Sequence, residues 1–383
     1  MINPSQLSAS IKTPNAPSPS GRRGHGRATL ADVAAHAGVT TMTVSRFLRS
    51  PERVAPDTAQ IITQALLLTG YSPNLQAGSL ASGCSQAVAV VVPNLTHSIF
   101  ADTLHGLGLG LQTEGLQMLV SSTGYSLALE EQQVRTMLGW APAAVVVTGR
   151  RHNAVTQQLL LAAQARGTPV VEIWDQSPEG EPHDFQQIGF DHAHVGAVMA
   201  QALIKRGYKK LCFIDSGISE DFRAHERAHG FLAKAVSCGI DAELQIADIG
   251  EAIEMGNACF TRWHDHQMLS KGAHSDTSSR IQGAGSTHGF GFANDLLATG
   301  ALLAAQRLGY AVPNEIGMIG FGDFPVGRYC LGGLSTMHID GERMGQTCAN
   351  YIATQLRKTI SKQSIPFEPA GQVVLEPRLL WRS

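Results

Sequence analysis

From residue 87 onward the chain repeats one pattern, a short and mainly apolar run followed by an amphipathic helical stretch. The runs are Val88 to Val92, Met118 to Ser121, Ala144 to Val147, Val170 to Ile173, Leu211 to Ile214 and Ile316 to Gly320, with a further strand at Gly289 to Ala293. A strand without polar alternation is covered on both faces, and a helix between successive strands returns the chain to the same end of the sheet. The pattern therefore predicts parallel sheets clothed by helices, with enough strand-helix units for two α/β lobes. Residues 270–288, rich in Gly, Ser, Thr and His, break the pattern and read as a flexible surface insertion.

The N-terminal part is built differently. Residues 1–27 are dominated by Ser, Pro, Gly and Arg without apolar periodicity, which predicts a disordered tail. Its arginines either add weak attraction for phosphates or do nothing. Thr29 then caps a helix in which Leu30, Val33, Ala34 and Ala37 recur at helical spacing, and Gly38 ends it. Thr40 caps a second helix, Thr41 to Leu48, with Val44, Phe47 and Leu48 inward. A third, Pro56 to Leu68, turns Ile61, Ile62, Ala65 and Leu66 inward and stops at Gly70. The tight glycine turn between the first two predicts a helix-turn-helix. Leu75 to Ala81 is too brief to be a stable helix by itself and reads as a hinge.

Charge separates the two parts. The net charge is −2. Residues 1–83 hold seven Lys/Arg against three Asp/Glu, so +4 sits there and −6 on the rest. A basic head on an acidic body suits a polyanion at one end only. The six cysteines are scattered without a CxxC pair and read as reduced fillers, not as a disulfide framework or zinc site. No window approaches the roughly 18 apolar residues of a membrane helix, and no signal pattern opens the chain, which predicts a cytoplasmic protein.

Two motifs invite misreading. Gly106-Leu107-Gly108-Leu109-Gly110 imitates a nucleotide-binding glycine pattern, but it lies inside a helix and lacks the final spacing, so helix packing is expected. His264-Asp265-His266, beside Trp263, reads as a solvated surface cluster and not a metal site. No nucleophile elbow, P-loop lysine or HExxH occurs, so a catalytic constellation is not expected and no cofactor is called for.

The segment TLADVAAHAGVTTMTVSRFLR, residues 29–49, closely resembles the headpiece of the lactose repressor (LacI/GalR) family. The likeness continues through VAPDTAQIITQAL and GYSPN, and more weakly through the rest. Met42, with Phe-Leu-Arg after Ser45-Arg46, looks like the gluconate-type branch. The resemblance implies an α/β protein with an N-terminal three-helix helix-turn-helix DNA-binding head at 28–73 and a hinge helix at 74–85. A two-lobed, periplasmic-binding-protein-like core with parallel sheets follows at 86–383. It implies a transcriptional repressor on the nucleoid, a homodimer on pseudopalindromic double-stranded operator DNA, its affinity set by a small sugar or sugar-acid effector. A periplasmic sugar-binding protein would share the lobes but lack the head; a nucleotide-using enzyme would need catalytic groups that are missing.

Residue by residue, the second helix is suited to the major groove, with Thr41, Met42 and Arg46 on its outer face. Arg46 can pair bidentately with a guanine edge, while Thr40, Thr43 and Ser45 offer short hydroxyls to phosphates and base edges. Thr29 and Leu30 complete the DNA-contacting set in the head. By resemblance, Thr41 and Met42 set operator preference, and Leu80 wedges into the minor groove with Asn74 and Ala77 on the same side. Gly78 stands where many relatives have Arg, which favours an unfolded hinge off DNA.

The expected effector set is Thr96, Ser98 and Phe100 after the first strand, Tyr125 after the second, Arg227 in Arg-x-x-Gly-aromatic, the pair Asn294 and Asp295, and Asp323. Strand C-termini are where open α/β sheets bind ligands. Any one of these serves as well as a structural hydrogen bond, so the set carries the argument. Gly322 stands where the common form has an acid, and losing a carboxylate from the pocket wall would ease entry of an anion such as gluconate.

Overall fold

The computed structural model describes residues 28–72, 85–270, 288–330, 332–360 and 371–382. The expected tail at 1–27 lies outside these residues. So do the hinge residues Asn74, Ala77, Gly78 and Leu80, and the insertion apart from its end positions Ser270 and His288. The chain divides after Ala81 into two compact units.

In the first unit, α1 (Leu30–Ala37) is opened by a reciprocal cap: Asp32 N donates to Thr29 Oγ1 at 3.3 Å, and Thr29 N donates to the Asp32 carboxylate at 2.7 Å. Gly38, at φ +63°, closes it in the left-handed region that glycine enters without strain. Thr40 opens α2 (Thr41–Arg49) by accepting from Thr43 N at 3.2 Å, and α3 spans Pro56–Thr69. Val33, Ala34, Ala37, Val44, Ile62 and Ala65 form the buried centre, with Phe47, Leu48 and Leu66 packed against it. Ile61, expected inward, is 49% exposed: its neighbour Ile62 occupies the inward angle, and one residue of helix turns about 100°.

The second unit has two lobes. One sheet runs in the order β11-β5-β4-β3-β1-β2, from β1 (Ala87–Val92), β2 (Gln117–Ser122), β3 (Ala144–Thr148), β4 (Val170–Ile173), β5 (Gln186–Gly189) and β11 (Gln372–Val374), all parallel. The other runs β12-β10-β9-β8-β6-β7, from β6 (Lys210–Asp215), β7 (Asp241–Ile246), β8 (His288–Phe292), β9 (Ile316–Phe321), β10 (Ser335–His338) and an antiparallel β12 (Arg378–Leu380). The intervening helices are α4 (Ser98–Thr113), α5 (Leu127–Leu138), α6 (Ala154–Ala165), α7 (His192–Lys205), α8 (Phe222–Ser237), α9 (Ala252–Ser270), α10 (Asp295–Arg307), α11 (Pro325–Tyr329) and α12 (Gly341–Ile360). The strand order requires three crossings between lobes: after β5, after β10 into α12, which packs on α4, and between β11 and β12. All the apolar runs of the sequence are strands. β5, β7, β10, β11 and β12 were not anticipated, because they are polar, exposed or short.

Glycines set how closely the helix pairs approach. A Cβ on Gly196 of α7 would lie 1.9 Å from the Arg227 carbonyl of α8, and one on Gly230 of α8 would lie 1.9 Å from the Ala193 carbonyl of α7. Gly256 and Gly300 do the same between α9 and α10. Gly106 and Gly110 seat α4 on Glu342 and Ala349 of α12, so the glycine repeat is a helix-packing surface. His264, expected on the surface, is buried, as is its neighbour Trp263; the Trp263 ring packs on Phe260 and Phe290, and His264 Nδ1 lies 2.9 Å from Tyr310 Oη. They fall on the inward face of α9, while Asp265 and His266 are exposed. Among the described residues no group could hold a metal ion, no helix is long and apolar enough to cross a membrane, and Cys212, Cys238, Cys259, Cys330 and Cys348 are unpaired.

Two tests follow from this packing. Gly196→Ala should destabilise the core by about 1–3 kcal/mol, since the added methyl overlaps backbone that cannot yield, read as a lower melting midpoint of the core transition. Asp295, fully buried, accepts from Thr336 Oγ1 and Phe324 N at 2.7 Å each, and burial pushes its carboxyl up to about 7. The folded state then holds a proton that the unfolded chain releases near pH 4, so this contribution is present at low pH and is lost as pH rises through about 7. Melting midpoints of wild type relative to Asp295→Asn should fall between pH 5 and 8. A rise instead would mean that the two donors hold Asp295 ionised.

Candidate functional site

The outer face of α2 carries the head's exposed chemistry. Thr41, Met42, Arg46 and Arg49 are exposed, Met42 by 68%, while Val44 is buried and Phe47 and Leu48 lean inward. Thr40 and Thr43 are engaged with each other, their hydroxyls 2.9 Å apart at the start of α2. Thr29 is occupied in capping α1, Leu30 is half-buried and Ser45 is half-buried beside Arg46. A narrow helix with a methionine, a threonine and two arginines outward, and no acid on the helix, is a face for a polyanion.

In the core, the C-terminal ends of both sheets converge on a cleft with two adjoining cavities, each about 380 Å³ counting the part open to solvent. Tyr125 and Arg223 line both. The first cavity is bounded by His97, Ile99 and Phe100 after β1, Trp174 after β4, His192 after β5, Asp221, Arg223 and Arg227 after β6, Ala293 and Asn294 after β8, and Phe321 at the end of β9. The second includes Glu130, Thr148, Arg151, Asp175, Glu220 and Phe222. Such a position outside the strand ends is where α/β sheets take ligands.

Arg227 sits at the floor of the first cavity, fully buried. Its Nη1 donates to His192 Nδ1 at 2.8 Å, its Nη2 donates to the Ala293 carbonyl at 2.8 Å, and its guanidinium lies 3.9 Å from the centroid of the Phe321 ring. Its Nε is buried without a partner. Burial pulls its pKa down to about 10, against the attraction of Asp221. Burial, then the adjacent Arg227, hold His192 well below the usual imidazole range, and burial also lowers His97. Both rings are therefore neutral near pH 7. Arg223 and Arg227 against Asp221 leave this cavity with one net positive charge. Tyr125 adopts φ +69°, and burial raises its phenol.

Side chains at the start of α8 bind the two lobes across the cleft. Leu127 N donates to Glu220 at 3.0 Å, while Arg150 and Arg151 each approach Glu226 at 2.7 Å. Arg150 also faces Asp175, whose carboxyl burial pushes up to about 6 despite Arg150 and Arg223. Behind the second cavity, burial alone would lower His152, but the carboxylates of Glu130 and Glu172 raise it to about 9, so a buried imidazolium separates two acids.

Of the expected effector residues, Phe100, Tyr125, Arg227 and Asn294 meet at the first cavity. Asn294 Oδ1 also accepts from Leu296 N and Leu297 N, opening α10. Thr96 is exposed and bonded to Asn94, and Ser98 is the first residue of α4; neither lines either of these two cavities. Asp295 is buried beneath the loop after β9, and Asp323, at φ +54°, is turned onto Arg328, Arg382 and His338. Gly322, at φ +115°, has a steric reason to be glycine: a Cβ there would lie 2.4 Å from the Phe324 ring and 3.1 Å from Ile99. Trp174, His192, Asp221 and Arg223 were missed, although each follows a strand and the same strand-end rule, applied to every strand including polar β5, reaches them.

Comparison with known proteins agrees with this architecture. Residues 29–74 match the model for bacterial regulatory proteins of the lacI family. Residues 85–268 match that for periplasmic binding proteins and the sugar binding domain of the LacI family, and 200–383 that for a periplasmic binding protein-like domain. The chain is 32% identical over 330 residues to the HTH-type transcriptional regulator GntR of Pseudomonas aeruginosa, covering 85% of this chain and 89% of that protein. It is 29% identical over 331 residues to the regulator GntR of Escherichia coli, covering 86% and 92%. A LacI-family transcriptional regulator from Silicibacter pomeroyi superposes with a TM-score of 0.77 at 30% identity, over 93% of this chain and 98% of that one. The lac repressor dimer bound to operator and an anti-inducer shares the fold, with a TM-score of 0.69 at 21% identity over 93% and 98%. The chain belongs to the lacI family of bacterial regulatory proteins, DNA-binding transcriptional regulators and not enzymes.

Proposed function

We propose that this protein is a cytoplasmic, nucleoid-bound repressor whose operator affinity is lowered by a sugar-acid effector, gluconate or a close relative. A homodimer sets two heads into successive major-groove half-sites of a pseudopalindromic operator, with the paired segments around residues 74–85 between them. Thr41, Met42 and Arg46 read base edges, Thr29, Leu30, Thr40, Thr43 and Ser45 belong to the surrounding contact surface, and Leu80 enters the minor groove beside Asn74 and Ala77. The effector lies between the lobes and shifts their closure, which changes DNA affinity.

The observation that carries the effector reading is the buried Arg227 Nε, a charged donor without an acceptor in a cavity of one net positive charge. A carboxylate supplies both the acceptor and the counter-charge, and the bond is of the strong charge-assisted kind. The acids and the Thr148 hydroxyl of the neighbouring cavity suit the hydroxyls of a polyol chain.

A fluorescent operator selected from random DNA, titrated with full-length protein in the presence and absence of D-gluconate and related sugar acids, tests the whole reading. Tight specific binding that one sugar acid weakens is expected; specific binding indifferent to all of them would remove the effector class, and no preference over random DNA would remove the repressor. In the same assay Arg46→Ala should cost about 1–3 kcal/mol, roughly 5- to 150-fold in affinity, and relax selectivity at a single base pair. Uniform weakening across all sequences would make Arg46 a phosphate contact instead.

A further inference from the structure

The bond from Arg227 does not end at His192. Because a guanidinium only donates, His192 Nδ1 must accept, and the ring's proton therefore sits on Nε2, which donates to the Trp174 carbonyl at 2.7 Å. Trp174 is itself held in the left-handed region at φ +65°, and its indole Nε1 donates to Thr103 Oγ1 of α4 at 3.0 Å. Thr103 lies under the start of α12, where Gly341 leaves room for its hydroxyl and Gly345 for its backbone. A continuous buried chain thus runs from Arg227 in one lobe, through His192, the first residue of the helix after one crossing, to Trp174 and α4 in the other lobe beside a second crossing.

Three members of this chain face the cleft, since Arg227, His192 and Trp174 line the same cavity. The chain is stiff at each step. Gly196, one turn beyond His192, seats directly on the Arg227 carbonyl, and the Phe190 ring fills the space between Trp174 and His192 at 5.9 and 4.7 Å between centroids. A ligand that draws Arg227 by its Nε must either stretch the His192 bond or carry His192, and with it the crossing, along.

We propose that His192 is a positioning residue with two separable tasks. Its Nδ1 aims Arg227 at the effector, and its Nε2–H transmits the movement of Arg227 to the crossing between lobes through Trp174. The proposal rests on the effector reading given above. The two nitrogens can be tested one at a time. Asn at position 192 places an amide oxygen near Nδ1 but does not reach the Trp174 carbonyl; Gln places its amide nitrogen near Nε2 but removes the acceptor for Arg227.

The experiment measures D-gluconate affinity by calorimetry and the ratio of operator affinities without and with saturating D-gluconate, on full-length wild type, His192→Asn and His192→Gln. The ratio normalises for any general loss of folding or DNA binding. For wild type the ratio should lie within the roughly 5- to 150-fold range of allosteric coupling. His192→Asn is expected to bind D-gluconate within about threefold of wild type while its ratio falls below about twofold; His192→Gln is expected to lose about tenfold or more in D-gluconate affinity. A purely structural role would move affinity and ratio together in both variants, and that result overturns the proposal, as does an undiminished ratio in His192→Asn. A wild type that binds the operator but responds to no sugar acid removes the effector reading itself, and the role of His192 with it.

Discussion

Arg227 brings a full charge to a site where its partners are an imidazole, a carbonyl and the face of a ring, none of them an anion. Burying such a charge is costly unless its donors are satisfied, and breaking up its surroundings costs several kcal/mol more. The core is arranged to make this tolerable. The glycine contacts of α7 and α8 hold the backbone of Arg227 against the helix that carries His192, and Asp221, which opens α8, supplies compensating field from six residues upstream. One nitrogen, Nε, is left with no bond at all. In a cavity at the junction of two lobes, that deficit is what the proposed anionic effector would remove.

The same cleft is spanned by groups that need no ligand. Glu226 gathers Arg150 and Arg151, and Glu220 takes the first free amide of α5, so α8 is tied to the opposite lobe at its N-terminal turns. These bonds are partly solvated and individually modest. In the proposed mechanism they set a resting closure that differential effector contacts shift, which is the form in which a small binding energy becomes a change of state.

The repeated apolar runs made both sheets legible because parallel strands covered on two faces cannot be polar. Where a buried strand is polar, that logic fails: the Gln187 amide in β5 is satisfied by Ser177, Glu172 and Gln372, and that of Gln186 by Gly371 N and the Gln187 carbonyl, so no apolar run marked the strand. Losing β5 also hid His192, which follows it. The head was legible nearly to the residue through its caps, Thr29, Gly38 and Thr40, since capping is local chemistry. Ile61 was misplaced because an apolar residue beside another apolar residue leaves the inward angle ambiguous by one position, and His264 because a polar type gave no sign of its inward angle beside Trp263. Among acids near the strand ends, sequence could not separate a ligand-facing carboxylate from one used internally, and both Asp295 and Asp323 are of the internal kind.

The most direct test of the account is calorimetric titration of full-length protein with D-gluconate and, in parallel, with uncharged D-glucose. If the buried donor and the single positive charge of the cavity define the ligand, D-gluconate binds at least about tenfold more tightly than D-glucose, and Arg227→Met abolishes that preference. Equal binding of the two sugars, or a preference that survives Arg227→Met, would contradict it.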